Sequence, residues 1–417
     1  MDGTAFFRPT EAWSGEQIRF MTAGSVDDGK STLIGRMLLD AGALMRDQAA
    51  ALGGDDVQDL AALTDGLEAE RAQGITIDVA YRYFSTPETS LVIADAPGHE
   101  QYTRNMVTAA SVSDVAVLVI DASRVEQGQL KPQTRRHAAI AALMGLDLIV
   151  AVNKMDLVDW SRERFDDVSD AFNALAAQLG VGTVACVPIS ARRGDNVVRP
   201  GGADWWRGPT LIELIVQTRR ARRSNGALRL PVQAVLREGD RRLYAGRIES
   251  GAIRPGDKVR AGASGGLATV AQVRVGGHGV ARADAGASVA VELADERDVE
   301  RGDVIASSDV RYARRVAADL CWLDETPWVK GRRYRLRQGA LETQALIDVQ
   351  FVRDIADFAQ QEADALGLND IASVHIVTRD FILGDLYADI PGAGAFVLFD
   401  VDTNQTCAAG MIREVIA

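Results

Sequence analysis

The octapeptide Gly24-Ser25-Val26-Asp27-Asp28-Gly29-Lys30-Ser31 lies between the apolar run Ile18 to Ala23 and a helical stretch from Lys30 to Leu39. It constrains the fold more than any other feature. Its spacing, G-x-x-x-x-G-K-[ST], lets the backbone curl so that successive N–H groups point inward, and the helix behind it adds about half a positive charge. Such a loop wraps phosphate. It needs a strand ending beneath it and a helix starting from it, which is the connection found in a parallel sheet covered by helices.

The residues up to about 220 follow that plan. Leu91 to Ala94, Val115 to Ile120, Leu148 to Val152 and Thr183 to Ile189 read, like Ile18 to Ala23, as buried strands. Ile77 to Phe84 partly alternates apolar and polar residues, as an edge strand with one wet face does. Helical stretches fall between them at Lys30 to Leu39, Glu100 to Ala110, Pro132 to Met144 and Arg162 to Leu179. After an Arg-rich stretch at Thr218 to Ser224 the texture changes to short β-like runs broken by glycine turns. Arg247-Ile248-Glu249-Ser250-Gly251 followed by Ile253-Arg254-Pro255-Gly256-Asp257 reads as a strand, a tight turn and a new strand start. A second break near Ser307 to Arg315 precedes a last segment ending in Gly392 to Ala395 and the strand-like Phe396 to Phe399. The expected fold is an α/β P-loop domain, mostly parallel sheet with helices on both faces, over residues 1–222. Two small antiparallel β-barrels are expected to follow, at 226–308 and 311–417.

The chain has 417 residues and a net charge of −12, which on average repels phosphate backbones and anionic membranes. Neither a nucleic acid nor a membrane is therefore expected as a partner. Cys186, Cys321 and Cys407 are scattered without C-x-x-C spacing, which argues against a disulfide framework or a zinc site and fits a reducing cytoplasm. No apolar run approaches the length of a membrane span.

Lys30 is the candidate bridge to the β- and γ-phosphates, and the Ser31 hydroxyl is a candidate Mg²⁺ ligand, with Thr32 next in the helix. Asp95-Ala96-Pro97-Gly98 follows the strand Leu91 to Ala94, putting a carboxylate at a strand's C-terminal end, where it can hold Mg²⁺ through a water. Gly98 offers a backbone N–H to the γ-phosphate where a side chain would obstruct approach. Asn153-Lys154-Met155-Asp156, after another strand, names the base. The Asp156 carboxylate accepts from guanine N1–H and the N2 amine, donors that adenine lacks, and a buried carboxylate left unpaired costs about 1–3 kcal/mol. Asn153 would brace the loop, and the Lys154 stem would cover one face of the ring. Ser190-Ala191 would supply a backbone N–H to guanine O6.

Taken singly, Asn-Lys-x-Asp and Ser-Ala are ordinary loops. In this order, each after a strand, the motifs read as a GTP site. Thr76, in Gly74-Ile75-Thr76, is the candidate effector-loop hydroxyl for Mg²⁺ and the γ-phosphate, within a segment containing Asp65, Glu68, Glu70 and Arg71. His99, directly after Gly98, is the candidate for orienting the attacking water. His137, His278 and His375 have no partner pattern and read as structural.

These residues resemble the elongation factor Tu superfamily over essentially the whole chain. Within it, Gly24 to Arg36, Gln73 to Phe84, Asp95 to Met106 and Gly194 to Val198 are most similar to the GTP-hydrolysing large subunits of heterodimeric sulfate adenylyltransferases. The resemblance implies GTP hydrolysis coupled to adenylyl transfer from ATP to sulfate on a small partner subunit, which binds ATP and sulfate. The product would be adenosine 5′-phosphosulfate. Translational members usually carry His at the P-loop places held here by Ser25 and Asp28, which favours the sulfate branch. Some relatives carry a kinase domain with its own P-loop; this sequence has no second one, so kinase activity is not expected. The alternative is an elongation-factor-type carrier of aminoacyl-tRNA, for which the run Arg332, Arg333, Arg335 and Arg337 could be argued.

Overall fold

The computed structural model describes residues 17–43, 60, 79–86, 89–99, 102–125, 128–220, 226–239, 241–263, 265–295, 297–354 and 358–416. The chain divides into two compact units, residues 1–222 with 355–358, and residues 223–354 with 359–417.

In the first unit the described elements run β1 (Gln17–Ala23), α1 (Lys30–Asp40), β2 (Ala80–Ser85), β3 (Ser90–Asp95), α2 (Thr103–Ser111) and β4 (Val115–Asp121). They continue with α3 (Pro132–Leu143), β5 (Asp147–Asn153), α4 (Arg162–Gln178), β6 (Ala185–Pro188) and α5 (Leu211–Arg220). The strands form one sheet in the order β2-β3-β1-β4-β5-β6. Every neighbouring pair is parallel except β2 with β3. All of β4 is buried, as expected of a central strand whose two faces are both covered. Ile18, Phe20, Leu91, Ile93, Val117 and Val119 share a core with Leu33, Ile34 and Met37 of α1 and Leu211 and Ile215 of α5. Their alternating neighbours Met21, Ala94, Ala116 and Leu118 are also buried and point to the opposite face. The edge strand expected from Ile77 to Phe84 is the antiparallel β2, whose half-exposed pattern explains its alternation.

Because β1 lies between β3 and β4, the strand order reverses at β1. Ligands bind outside the C-terminal end of a strand at such a switch point. The loop 24–29 occupies that position. Helix α5 was not anticipated, although its start carries a capping box. The Thr210 N–H donates to Glu213 Oε2 (2.8 Å), and the Glu213 N–H donates to Thr210 Oγ1 (3.4 Å).

The second unit contains two large antiparallel sheets, each around its own core, and a two-stranded ribbon of Ala252–Ile253 with Ala283–Asp284. In the first, Arg229–Pro231 pairs with Val304–Ala306 at one end, and Ala234–Glu238 pairs with Arg241–Arg247 at the other. Those two ends are consecutive stretches of one segment, so the sheet curls back on itself. Gly246 permits this closure, since a Cβ there would stand 2.1 Å from the Pro231 carbonyl oxygen. In the second sheet, Arg333–Gln338 pairs with both Ala395–Asp400 and Leu341–Arg353, which closes six strands into a barrel with no free edge. The break expected near 307–315 falls between Val304–Ala306 and Tyr312–Trp322, and both sheets belong to one compact unit. The strand read from Arg247 to Gly251 ends at Arg247. Ile248 is fully buried and its N–H still donates to the Ala287 carbonyl, and Ser250 forms an isolated bridge with Arg229.

Arg229 is buried and donates from Nε and Nη2 to the two carboxylate oxygens of Asp385, at 2.7 and 2.9 Å. Truncating one member of such a pair leaves the other charge buried and unpaired. Arg229→Ala should therefore destabilise the second unit by about 3–5 kcal/mol, read as a lower midpoint in urea unfolding. A midpoint unchanged from the parent would contradict this assignment.

Candidate nucleotide site

Gly24 has φ 146°, and a Cβ there would lie 2.4 Å from the Val119 carbonyl oxygen, so the chain leaves β1 tightly against β4. Gly29 (φ 98°) precedes α1, and a Cβ there would meet Asn153 Nδ2 at 2.4 Å. Lys30 folds back over the loop and donates from Nζ to the carbonyls of Gly24 (3.1 Å) and Ser25 (2.9 Å). Its burial lowers the ammonium pKa, while the charges of Asp95 and Asp28 work in the opposite direction. Gly98 leaves room for this ammonium: a Cβ there would sit 2.5 Å from Lys30 Nζ. Asp95, buried at the end of β3, accepts from Thr22 Oγ1 at 3.2 Å. Ala96 and Pro97 are buried beside it, and Ser31 and Thr32 are half-buried in the first turn of α1.

Asn153 joins three loops. Its Nδ2 donates to the Asp28 carbonyl (2.8 Å), and its Oδ1 accepts from the Ala191 N–H (2.9 Å). The sequence motif for the phosphates and the one for the base are thus tied by a single amide. Lys154 (φ 61°) donates from Nζ to the carbonyl of Asp27 (φ 66°) and to Asp121 Oδ2, both at 2.7 Å. Two non-glycine residues held in the left-handed region at one place are the kind of local strain found at binding loops. Burial opposes ionisation of Asp121, but hydrogen bonds from Lys154 and Ser123 hold its carboxyl below the usual range. Asp156 faces Arg193 Nε at 3.7 Å, while the Arg193 N–H donates to the buried Ser190 Oγ at 3.2 Å. Met155 is buried and its N–H donates to the Ile189 carbonyl. Val26 and Asp27 form the exposed tip of the loop.

His99 is half-buried, its ring edge-on to that of Tyr102. Thr76, with Gly74, Ile75, Asp65, Glu68, Glu70 and Arg71, lies outside the described residues, as do Glu100 and Gln101.

Three residues around the start of α3 were missed as parts of the site. Lys131 Nζ lies 2.5 Å from Asp28 Oδ1, Thr134 Oγ1 is 3.2 Å from Ser25 Oγ, and His137 Nδ1 accepts from the Gly24 N–H at 3.1 Å. Burial raises the Asp28 pKa, and the Lys131 ammonium works against that rise. Asp28 Oδ2 also accepts from the Ser25 N–H (3.0 Å), so the two P-loop residues that depart from the wider pattern are those engaged by α3. The only advance signal was the three-residue spacing of Lys131, Thr134 and His137, which puts them on one side of a helical turn.

His137 is fully buried, and burial, with the positive charge of Lys30, pushes its pKa down to about 3. The unfolded chain takes up this proton near pH 6.5 while the folded chain does not, so stability is lost as pH falls from 6.5 toward 3. The slope from this one group is about 1.4 kcal/mol per pH unit. His137→Asn, which keeps an acceptor for Gly24, should flatten the dependence of urea midpoints between pH 6 and 4. An unchanged slope would count against a neutral buried imidazole.

The family of the elongation factor Tu GTP binding domain matches residues 16–221, and the GTP-eEF1A C-terminal domain-like family matches residues 315–413. The chain is 44% identical over 413 residues to sulfate adenylyltransferase subunit 1 of Vibrio cholerae, covering 95% of this chain and 86% of that protein. It is 45% identical over 410 residues to sulfate adenylyltransferase subunit 1 of Rhizobium meliloti, covering 95% and 81%. It is also 44% identical over 412 residues to the bifunctional enzyme NodQ of a Rhizobium species, covering 95% of this chain and 63% of NodQ. The chain spans less than two thirds of the length of NodQ. With motifs, sheet topology and likeness over nearly its whole length in agreement, the chain belongs to the sulfate adenylyltransferase subunit 1 family within the elongation factor Tu-type GTPases.

Proposed function

We propose that this chain hydrolyses GTP to drive adenylation of sulfate by ATP on a small partner subunit, giving adenosine 5′-phosphosulfate and pyrophosphate. The observation that carries this reading is the extent of the likeness: an alignment of 44% overall identity to a subunit 1 relative spans 95% of this chain and so takes in the barrels as well as the GTPase domain. Reading the chain as an aminoacyl-tRNA carrier is less well supported for the same reason. Forming a phosphoric–sulfuric anhydride runs uphill, so a second hydrolysis conformationally linked to it supplies the driving force.

In this reading the N–H groups of Gly24 to Gly29 cradle the phosphates, and Lys30 exchanges its two carbonyl partners for phosphate oxygens. Asp156 leaves Arg193 to accept from guanine N1–H and N2. Asn153 keeps the base and phosphate loops in register through its bond to Asp28, and the Ala191 N–H that now donates to Asn153 Oδ1 would be shared with guanine O6. Ser31 and Asp95 offer hard oxygen donors, one hydroxyl and one carboxylate, which suits Mg²⁺ held mainly by phosphates and water. Among the described residues no cluster of three His, Cys, Asp or Glu competes as a metal site. Mg²⁺ would neutralise phosphate charge in hydrolysis. Thr76 is assigned as its second hydroxyl ligand. His99 would orient the attacking water, and Gly98 would sense the γ-phosphate. We assign the enzyme to the cytoplasm, in keeping with three free cysteines; no helix among the described residues is long and apolar enough to cross a membrane.

The test is formation of adenosine 5′-phosphosulfate from ATP and sulfate by the purified small subunit, with and without this chain and GTP. The expected result is product that accumulates only with both, and far less with a non-hydrolysable GTP analogue. Equal product without the chain would overturn the coupling.

A further inference from the structure

The arginine run at 332–337 is not used by the nucleotide site. Within Arg333–Gln338 the side chains of Tyr334 and Leu336 fill the barrel core, so Arg333, Arg335 and Arg337 stand on its outer face. The registers align neighbours beside them. Arg333 lies opposite Leu346, Leu346 opposite Val377, and Val377 opposite Arg315, making one row across four strands. In the adjacent rows Arg335 faces Gln344 and Arg337 faces Glu342. Arg333, Gln344, Leu346, Val377 and Arg379 line one shallow cleft. Leu346 and Val377 are 42% and 47% exposed at its centre.

Electrostatics sets this face apart. Arg335 and Arg337 share Glu342, at 3.8 and 3.7 Å, and Arg332 is taken up by Asp400 and Asp402. Arg333 and Arg379 have no acidic partner among the described residues, and the Arg314 guanidinium lies over the Phe381 ring at 4.4 Å. On a chain of net charge −12, the face carries a local excess of arginine around exposed aliphatic side chains. An apolar centre with an arginine rim is the make-up of a protein–protein interface. RNA suits it less well. Phosphates would leave Leu346 and Val377 pressed against charge, and the aromatic rings nearby, Phe381 and Phe399, already have the guanidinium groups of Arg314 and Arg335 over them.

We propose that this barrel face docks an acidic, apolar-centred surface of the small adenylyltransferase subunit, with Leu346 and Val377 buried in the contact and Arg333 and Arg379 paired to carboxylates. The partner's identity rests on the function proposed above; the location and chemistry of the surface rest on the barrel.

The experiment is titration of the purified chain with the small subunit of the same organism, by calorimetry at low and moderate salt. Arg333→Glu/Arg379→Glu should weaken association roughly 10- to 100-fold and reduce its salt dependence. Leu346→Asp should weaken it at every salt concentration. Arg237→Glu/Arg254→Glu, an equal charge change at exposed positions of the other barrel, should leave association unchanged. GTP affinity and unfolding midpoints at the parent's values certify that the variants fold. Failure of the unmodified chain to associate would overturn the partner reading and this inference with it. Association that ignores both the reversal and Leu346→Asp would overturn this inference alone. RNA binding that disappears in the double reversal, with subunit association intact, would assign the face to nucleic acid and overturn it as well.

Discussion

Asp156→Asn is expected to lower GTP affinity by about 10²- to 10⁴-fold and to turn nucleotide preference toward xanthosine triphosphate. Guanine presents N1–H and the N2 amine to a carboxylate that accepts both. With asparagine in its place, one acceptor becomes an amide donor facing the amine donor. Xanthine carries a carbonyl where guanine carries that amine, so the amide pairs with it. The loop should survive the change, since Asp156 is held only loosely by Arg193 at 3.7 Å, while Asn153 carries the bonds to Asp28 and Ala191. Competition between the two nucleotides in an equilibrium binding assay decides the matter. A GTP preference that stays with the variant would remove Asp156 from the base pocket.

His99→Ala is expected to cut stimulated GTP turnover by about 10²- to 10⁴-fold with little change in GTP affinity, because it would act on the attacking water and not on the bound nucleotide. His99 follows Gly98 at the mouth of the loop that leaves β3, and its ring rests edge-on against Tyr102. The parent chain alone should be slow, on the order of 10⁻⁴ to 10⁻² per second, so the effect must be sought with the full set of partners present. His99→Gln should recover part of the rate, since an amide can also orient water. A His99→Ala chain that hydrolyses GTP at the parent's stimulated rate would exclude this histidine from the chemistry.

Much of the nucleotide site was legible because its motifs are local. Each is a few residues at the end of an apolar strand, and the switch point at β1 gathers those strand ends together. Contacts set by tertiary packing were not legible. Lys131, Thr134 and His137 brace the P-loop from more than a hundred residues away, and His137 looked like any histidine in a helix. The barrels were legible as texture but not as register. Ile248, fully buried just past the regular strand that ends at Arg247, looked like part of it, and α5 was passed over although Thr210 and Glu213 marked its start. The arginine run could be seen in the sequence, but its apolar neighbours Leu346 and Val377 come beside it only through strand pairing.

The central claim is that GTP hydrolysis by this chain is coupled to sulfate adenylation. Its most direct test is GTP turnover by the chain with the small subunit, measured with ATP and sulfate each omitted in turn, while adenosine 5′-phosphosulfate is followed in the same samples. The account predicts that turnover rises only in the complete mixture and that product appears in step with it. GTP turnover that is indifferent to ATP, sulfate and the small subunit would contradict it.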